Sequence, residues 1–183
     1  SLRLYLREEK TASLLRQLAD GDLDTVLMAL PYKTEKVEVF EFADDPFLIV
    51  FPRGQAMEKF ETVTPARLKG EALLVMEEGN CLTDQTLAMG NLSERVERSQ
   101  FHASSLHTLV QMVDNGLGLT ILPKMAVDAG ILRGLKLNFR PFSSPKASRH
   151  IALVWRKTSR RGEEFRMLGQ HLRDELGTPV PRT

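Results

Sequence analysis

Cysteine is the scarcest feature of this 183-residue chain, which has one, Cys81. A lone thiol excludes an intramolecular disulfide and leaves no thiol framework for a structural zinc site. An excess of charge of either sign is missing too, because 25 basic and 24 acidic side chains nearly cancel. No overall field would draw the chain onto nucleic acid or an anionic membrane, so any contact with DNA belongs to a part of the protein outside it. Long apolar runs are absent: residues 25–30 and 47–51 fall far short of the roughly 20 residues that cross a bilayer. Arg3, Arg7, Glu8 and Glu9 interrupt any signal-peptide core, so the expected compartment is the cytoplasm. His102, His107, His150 and His171 are widely spaced and show no ligand pattern, so no metal is expected. Gly116-Leu117-Gly118 lacks the third glycine and the strand-before context of a dinucleotide loop, and no cofactor is expected.

What is present is the composition of a globular protein, 42% hydrophobic and 27% charged, in a chain long enough for a real core. Leu2-Arg3-Leu4-Tyr5-Leu6 alternates with the period of a strand, and residues 11–20 place Leu14, Leu15 and Leu18 at helical spacing before a stop at Asp20-Gly21. Residues 24–30 read as a strand covered on both faces. Strands are expected at 37–42 and 47–51, separated by Ala43-Asp44-Asp45-Pro46, where the acidic pair and proline discourage regular structure and suggest a hinge.

A second series opens with a strand at 72–76, a turn, and a helix starting near Cys81 with Asn80 as its N-cap. Residues 104–115 carry Leu106, Leu109, Val110 and Val113 on one face between serines and Asn115-Gly116, a well-delimited amphipathic helix. Strands at 118–123 and 135–139, a polar loop at 143–148 as second hinge candidate, a strand at 150–155 and a helix at 163–176 complete the pattern. The alternation predicts an α/β fold with largely parallel sheets. The two breaks predict two Rossmann-like subdomains with a double-crossover hinge: residues 1–44 with 150–183, and residues 47–147 carrying Cys81. Such a cleft is suited to closing on a ligand.

Three segments carry a family resemblance. Glu78-Gly79-Asn80-Cys81-Leu82-Thr83-Asp84-Gln85 resembles the redox-active segment of OxyR-like peroxide sensors. Residues 103–113, continuing into Gly116-Leu117-Gly118-Leu119-Thr120-Ile121-Leu122-Pro123, resemble the helix, glycine turn and strand of LysR-type effector-binding domains. Leu18-Ala19-Asp20-Gly21-Asp22-Leu23-Asp24 resembles the first-subdomain segment of the same family. The resemblance implies a fold like type 2 periplasmic binding proteins and a non-enzymatic regulatory domain of a LysR-type transcriptional regulator that senses oxidative stress. It places a winged helix-turn-helix, its linker helix and the first strand and helix of the effector domain before Ser1. Promoter DNA is then contacted only through that missing part, with a homodimer or homotetramer, and RNA polymerase, as partners. In the family a first-subdomain helix packs against a second-subdomain helix of another protomer, here 11–20 against 104–115, with Leu14, Leu18, Leu109 and Val113 on the facing sides.

On its own physics Cys81 reads either as a small buried hydrophobe or as a thiol beside the unpaired N–H groups of a helix start, which favour the thiolate and make it a candidate nucleophile. Asp84 lies three residues on, either as a proton relay or as a plain first-turn acid. Thr11 matches a peroxide-contacting threonine of the family, and also reads as a helix cap. The helix start at Ser104 and Ser105 faces the cleft in the family, so Thr11, Asn80, Cys81, Ser104 and Ser105 are the candidate effector contacts. Two departures count. Gly90 stands where the family's resolving cysteine would be, and Asn80 where it has histidine. Oxidation of Cys81 by peroxide should then stop at sulfenic acid, over-oxidise, or be captured by an external thiol. A one-cysteine relative, a paralogue sensing a small-molecule effector without a redox switch, and a substitution at Gly90 all fit. A periplasmic solute receptor would need a signal peptide, and a thiol peroxidase would show turnover.

Overall fold

The computed structural model describes residues 3–77, 79–89, 92, 102–144 and 146–176. The chain divides into two compact units, Ser1–Ala43 with Ile151–Thr183, and Asp44–His150.

In the first unit, α1 (Thr11–Asp20) forms where leucines recur at helical spacing and stops at Gly21, whose φ of 95° turns the chain while its N–H caps the Gln17 carbonyl. Leu18 is buried with Val26, Met28 and Val154, so α1 covers β1 (Val26–Leu30). In the sheet, β7 (Ser148–Arg156) lies between β1 and β2 (Val37–Pro52). A second cluster gathers Phe42, Ile151, Leu153, Trp155 and Phe165 under α5 (Gly162–Leu176), which adds Leu168 and Leu172. Trp155 and Phe165 tilt together at 5.6 Å between centroids.

The expected strand at residues 2–6 does not form over its described part. Leu4, Tyr5 and Leu6 are 62%, 90% and 92% exposed, because period-two alternation makes a strand only where a neighbour takes its hydrogen bonds. The expected break at 43–46 is also absent, for β2 runs unbroken through it. The acidic pair is satisfied in place: Asp45, fully buried, meets Arg149 at 2.9 Å and accepts the Met125 N–H at 2.8 Å, and Asp44 meets His150 at 2.5 Å. Pro46 is exposed, one residue before β2 begins to pair with β5, where its missing N–H costs no ladder bond to that strand.

In the second unit, β2 pairs antiparallel with β5 (Thr120–Pro123) and with β6 (Leu137–Pro141). Short β3 (Val75–Met76) pairs parallel with β4 (His102–Ala103). The expectation of largely parallel sheets therefore fails at residues 47–52 of β2, where its partners β5 and β6 both run against it, a direction that helix and strand alternation does not encode. The core gathers Phe47, Ile49, Phe51, Leu74, Leu109, Val113 and Leu122. Helices α2 (Cys81–Leu87), α3 (Leu106–Asp114) and α4 (Lys124–Asp128) belong to this unit. Gly118 sits where backbones meet: a Cβ there would lie 2.5 Å from the Ala72 carbonyl oxygen. Leu18, Leu109 and Val113, expected to face a second protomer, are instead buried in their own units.

Candidate functional site

Cys81 is the first residue of α2, and the chain reaches it through a short parallel strand and a tight turn. The Glu77 N–H bonds the Ala103 carbonyl, carrying β3 alongside β4, and Gly79 takes a φ of 79°, turning the chain into the helix. Asn80 has extended backbone and its Oδ1 accepts the Leu82 N–H at 3.0 Å, the N-cap expected from the sequence. The thiol is free and the residue half-buried. Below it, Leu82, Thr83, Gln85 and Thr86 are buried, and the Thr83 hydroxyl donates to the Met76 carbonyl at 2.9 Å, pinning α2 to β3.

The other sequence candidates separate. Asp84 is exposed, although three residues from Cys81 on a helix place the two on neighbouring faces. Ser105 caps α3, accepting the Thr108 N–H at 3.1 Å, and its hydroxyl lies 3.0 Å from the Thr108 hydroxyl. Ser104 precedes it, exposed, next to β4. Thr11 belongs to the first unit and is not the cap of α1; that position is Lys10, whose side chain makes no cap bond. Beside Thr11, Glu9 gathers the Ser13 hydroxyl at 2.5 Å and the Gln17 amide at 2.9 Å. These bonds, Ser13 first, hold the Glu9 carboxyl below its ordinary range. Gly90 lies outside the described residues.

Gln85 was not singled out by sequence reasoning beyond its place in the motif. Both of its amide atoms are buried without a hydrogen-bond partner among the described residues. A readable signal existed: Leu82, Gln85 and Thr86 share a helix face, so a core-facing leucine implied a core-facing amide. Among the described residues no group of three His, Cys, Asp or Glu side chains is placed to hold a metal. No described helix is long and apolar enough to cross a membrane. A cavity of about 650 Å³ lies in the first unit, remote in sequence from Cys81, among Leu15, Lys33, Lys36, Val37, Arg156 and Lys157.

Comparison with known proteins gives a consistent picture. Residues 1–177 match the model of the LysR substrate binding domain family. A probable hydrogen peroxide-inducible genes activator of Mycobacterium avium is 36% identical over 168 residues, covering 91% of this chain and 54% of that protein. The DNA-binding transcriptional dual regulator OxyR of Escherichia coli strain K12 is 35% identical over 175 residues, covering 96% of this chain and 57% of the relative. The chain thus spans about half the length of the relatives it matches. Among solved structures, the reduced regulatory domain of OxyR2 from Vibrio vulnificus superposes with a TM-score of 0.81 at 36% identity, over 92% of this chain and 79% of that one. A crystal structure of the reduced form of OxyR gives a TM-score of 0.82 at 32% identity, over 94% of this chain and 80% of that one.

Proposed function

Since this chain belongs to the LysR substrate-binding domain family, we propose that it is the regulatory domain of a LysR-type transcriptional regulator that responds to hydrogen peroxide by oxidation of Cys81. The observation that carries the reading is the position of that thiol: half-buried, the first residue of a helix whose N-cap is Asn80, in a chain more than a third identical to proteins named as hydrogen peroxide-inducible genes activators. The residue keeps part of its surface open to a molecule the size of peroxide and stands in the first turn of α2, where Asn80 takes the Leu82 N–H with its side chain and the Thr83 N–H with its carbonyl. Oxidation converts a weakly hydrogen-bonding thiol to a polar sulfenic acid at the start of α2, which the Thr83 hydroxyl fastens to β3. Asp84 serves as a proton relay and Thr11, Asn80, Ser104 and Ser105 as effector contacts in this reading. The two units act as subdomains I and II, the protein works in the cytoplasm as a homodimer or homotetramer, and promoter DNA and RNA polymerase are engaged by the assembled regulator. The domain is a sensor that reacts once and stops, in contrast to an enzyme.

The single cysteine favours one second reading, a paralogue whose small-molecule effector binds at Thr11, Ser104 and Ser105 without a redox switch. The test is a promoter reporter driven by the full-length regulator. Peroxide should change its output at least tenfold, and Cys81→Ser should remove that response while leaving the protein level unchanged. A Cys81→Ser regulator that still responds to peroxide contradicts the redox reading and leaves the small-molecule one.

A further inference from the structure

The cavity of about 650 Å³ in the first unit plays no part in the peroxide reading, and its walls are mostly cationic: Lys33, Lys36, Arg156 and Lys157 line it, against one carboxylate, Glu35. Elsewhere among the described residues cations pair with acids, Lys124 with Asp128, Arg149 with Asp45, and Arg161 and Arg166 with two carboxylates each. Here they do not. Among the described residues Lys33, Lys36 and Lys157 meet no carboxylate, and Glu35 meets no cation. Arg156 is fixed in the wall, because its Nη1 donates to the Leu18 carbonyl and to that of Leu23 at 2.7 Å. Its Nε and Nη2 donate to nothing among the described residues, so the cavity has a guanidinium already held in place with one edge to spare. Lys36 takes a φ of 58°, a left-handed conformation that costs a lysine energy, and its carbonyl accepts the Lys157 N–H at 3.2 Å, joining the start of β2 to the end of β7. The rest of the wall is apolar, from Leu15 and Ala19 of α1 and Val37 of β2.

We infer that this cavity binds a small organic acid, an anionic group on an apolar body, of the class of aromatic and medium-chain carboxylates. Its volume is that of small-molecule sites, which run from about 300 to 1,000 Å³. The lysines set the sign of the ligand, and the free edge of Arg156 offers the two parallel donors that a carboxylate accepts. Leu15, Ala19 and Val37 set its body. Inorganic phosphate or sulfate would leave that apolar wall in water, and a neutral apolar molecule would leave the cations unanswered. A run of charge is ordinarily a solvated face. These charges differ in sharing one concave, partly apolar wall with a guanidinium fixed by backbone carbonyls. Glu35 repels such a ligand, so removing its charge should strengthen binding. The site is separate from Cys81 and from Thr11, Ser104 and Ser105, and it does not depend on the peroxide reading.

The experiment titrates the full-length protein with anilinonaphthalene sulfonate, an anion on an apolar body that fluoresces when bound, and with phenylnaphthylamine, the same body without the charge. Wild type should bind the sulfonate about fivefold more tightly than the amine. Replacing both lysines, Lys33→Gln with Lys36→Gln, should weaken the sulfonate about fivefold, the effect of two exposed charge contacts, and leave the amine unchanged. Glu35→Gln should tighten the sulfonate about twofold. Lys36→Gly removes one charge at a φ that glycine adopts freely, so it should melt no lower than wild type while binding the sulfonate about twofold more weakly. Octanoate should displace the sulfonate, and inorganic sulfate at the same concentration and ionic strength should not. Cys81→Ser should bind as wild type does, whether or not the peroxide reading holds. A double lysine variant that binds the sulfonate as tightly as wild type overturns the inference. So does inorganic sulfate that displaces it as well as octanoate, because the apolar wall then contributes nothing.

Discussion

Asp45 is a carboxylate with no solvent exposure on a strand otherwise lined by Phe47, Ile49, Val50 and Phe51, and it is kept there by specific partners. Arg149 supplies the counter-charge at 2.9 Å from the neighbouring end of β7, and the Met125 N–H bonds the other carboxylate oxygen at the start of α4. Removing one member of such a pair leaves the other charged and uncompensated, and that loss exceeds the net value of the pair itself. Arg149 keeps 16% exposure, which lets water relieve part of the penalty. Asp45→Ala is therefore expected to cost about 3 kcal/mol, the low end for a broken buried ion pair. Asp45→Asn, which retains an acceptor for Met125, should cost less. Urea unfolding of the wild type and the two variants checks the order; an Asp45→Asn midpoint equal to that of the wild type would show that the charge is irrelevant.

The elements show what a sequence declares and what it leaves open. Helices α1 and α3 were legible almost to the residue, because Leu14, Leu15, Leu18, Leu109, Val110 and Val113 repeat at helical spacing and Ser105, Asn115 and Gly21 bound them. The N-cap of α2 was equally plain in Asn80. Strands were less so. The alternation at residues 2–6 contains every local cue for a strand and forms none over its described residues 3–6, since pairing depends on a neighbour the local sequence does not name. At 43–46 the local cues argued for a break and were overridden by distant residues, Arg149, His150 and Met125. The site divides the same way: Cys81, Asn80 and Ser105 sit where the motif put them, whereas the unsatisfied state of Gln85 depends on what packs over it. The glycine turn after α3 combines both kinds of information. Gly116 takes a φ of 77°, and Gly118 has the Ala72 carbonyl where its Cβ would be. Backbone cannot step aside as a flexible side chain does, so Gly118→Ala should displace the contact between Leu73 and Leu119 and lower stability by about 2 kcal/mol. A melting temperature unchanged from wild type would show that the close approach is not needed.

At the scale of the whole molecule, two compact units are joined by β2 and β7, each of which passes from one unit to the other without leaving strand conformation. The unit holding Cys81 also holds Asn80, Asp84, Gln85, Ser104 and Ser105, while Thr11 lies in the other. The proposed sensor thus depends on a chemical event in one unit, and the quantity that defines it is stoichiometry. The most direct measurement follows peroxide consumption and intact mass together during titration of the reduced protein with hydrogen peroxide in the presence of dimedone. The account requires one equivalent of peroxide to be consumed per chain, one dimedone adduct mapped to Cys81, and no further consumption. A thiol that stays unmodified and alkylatable throughout the titration, or peroxide that disappears catalytically when a thiol reductant replaces dimedone, would contradict it.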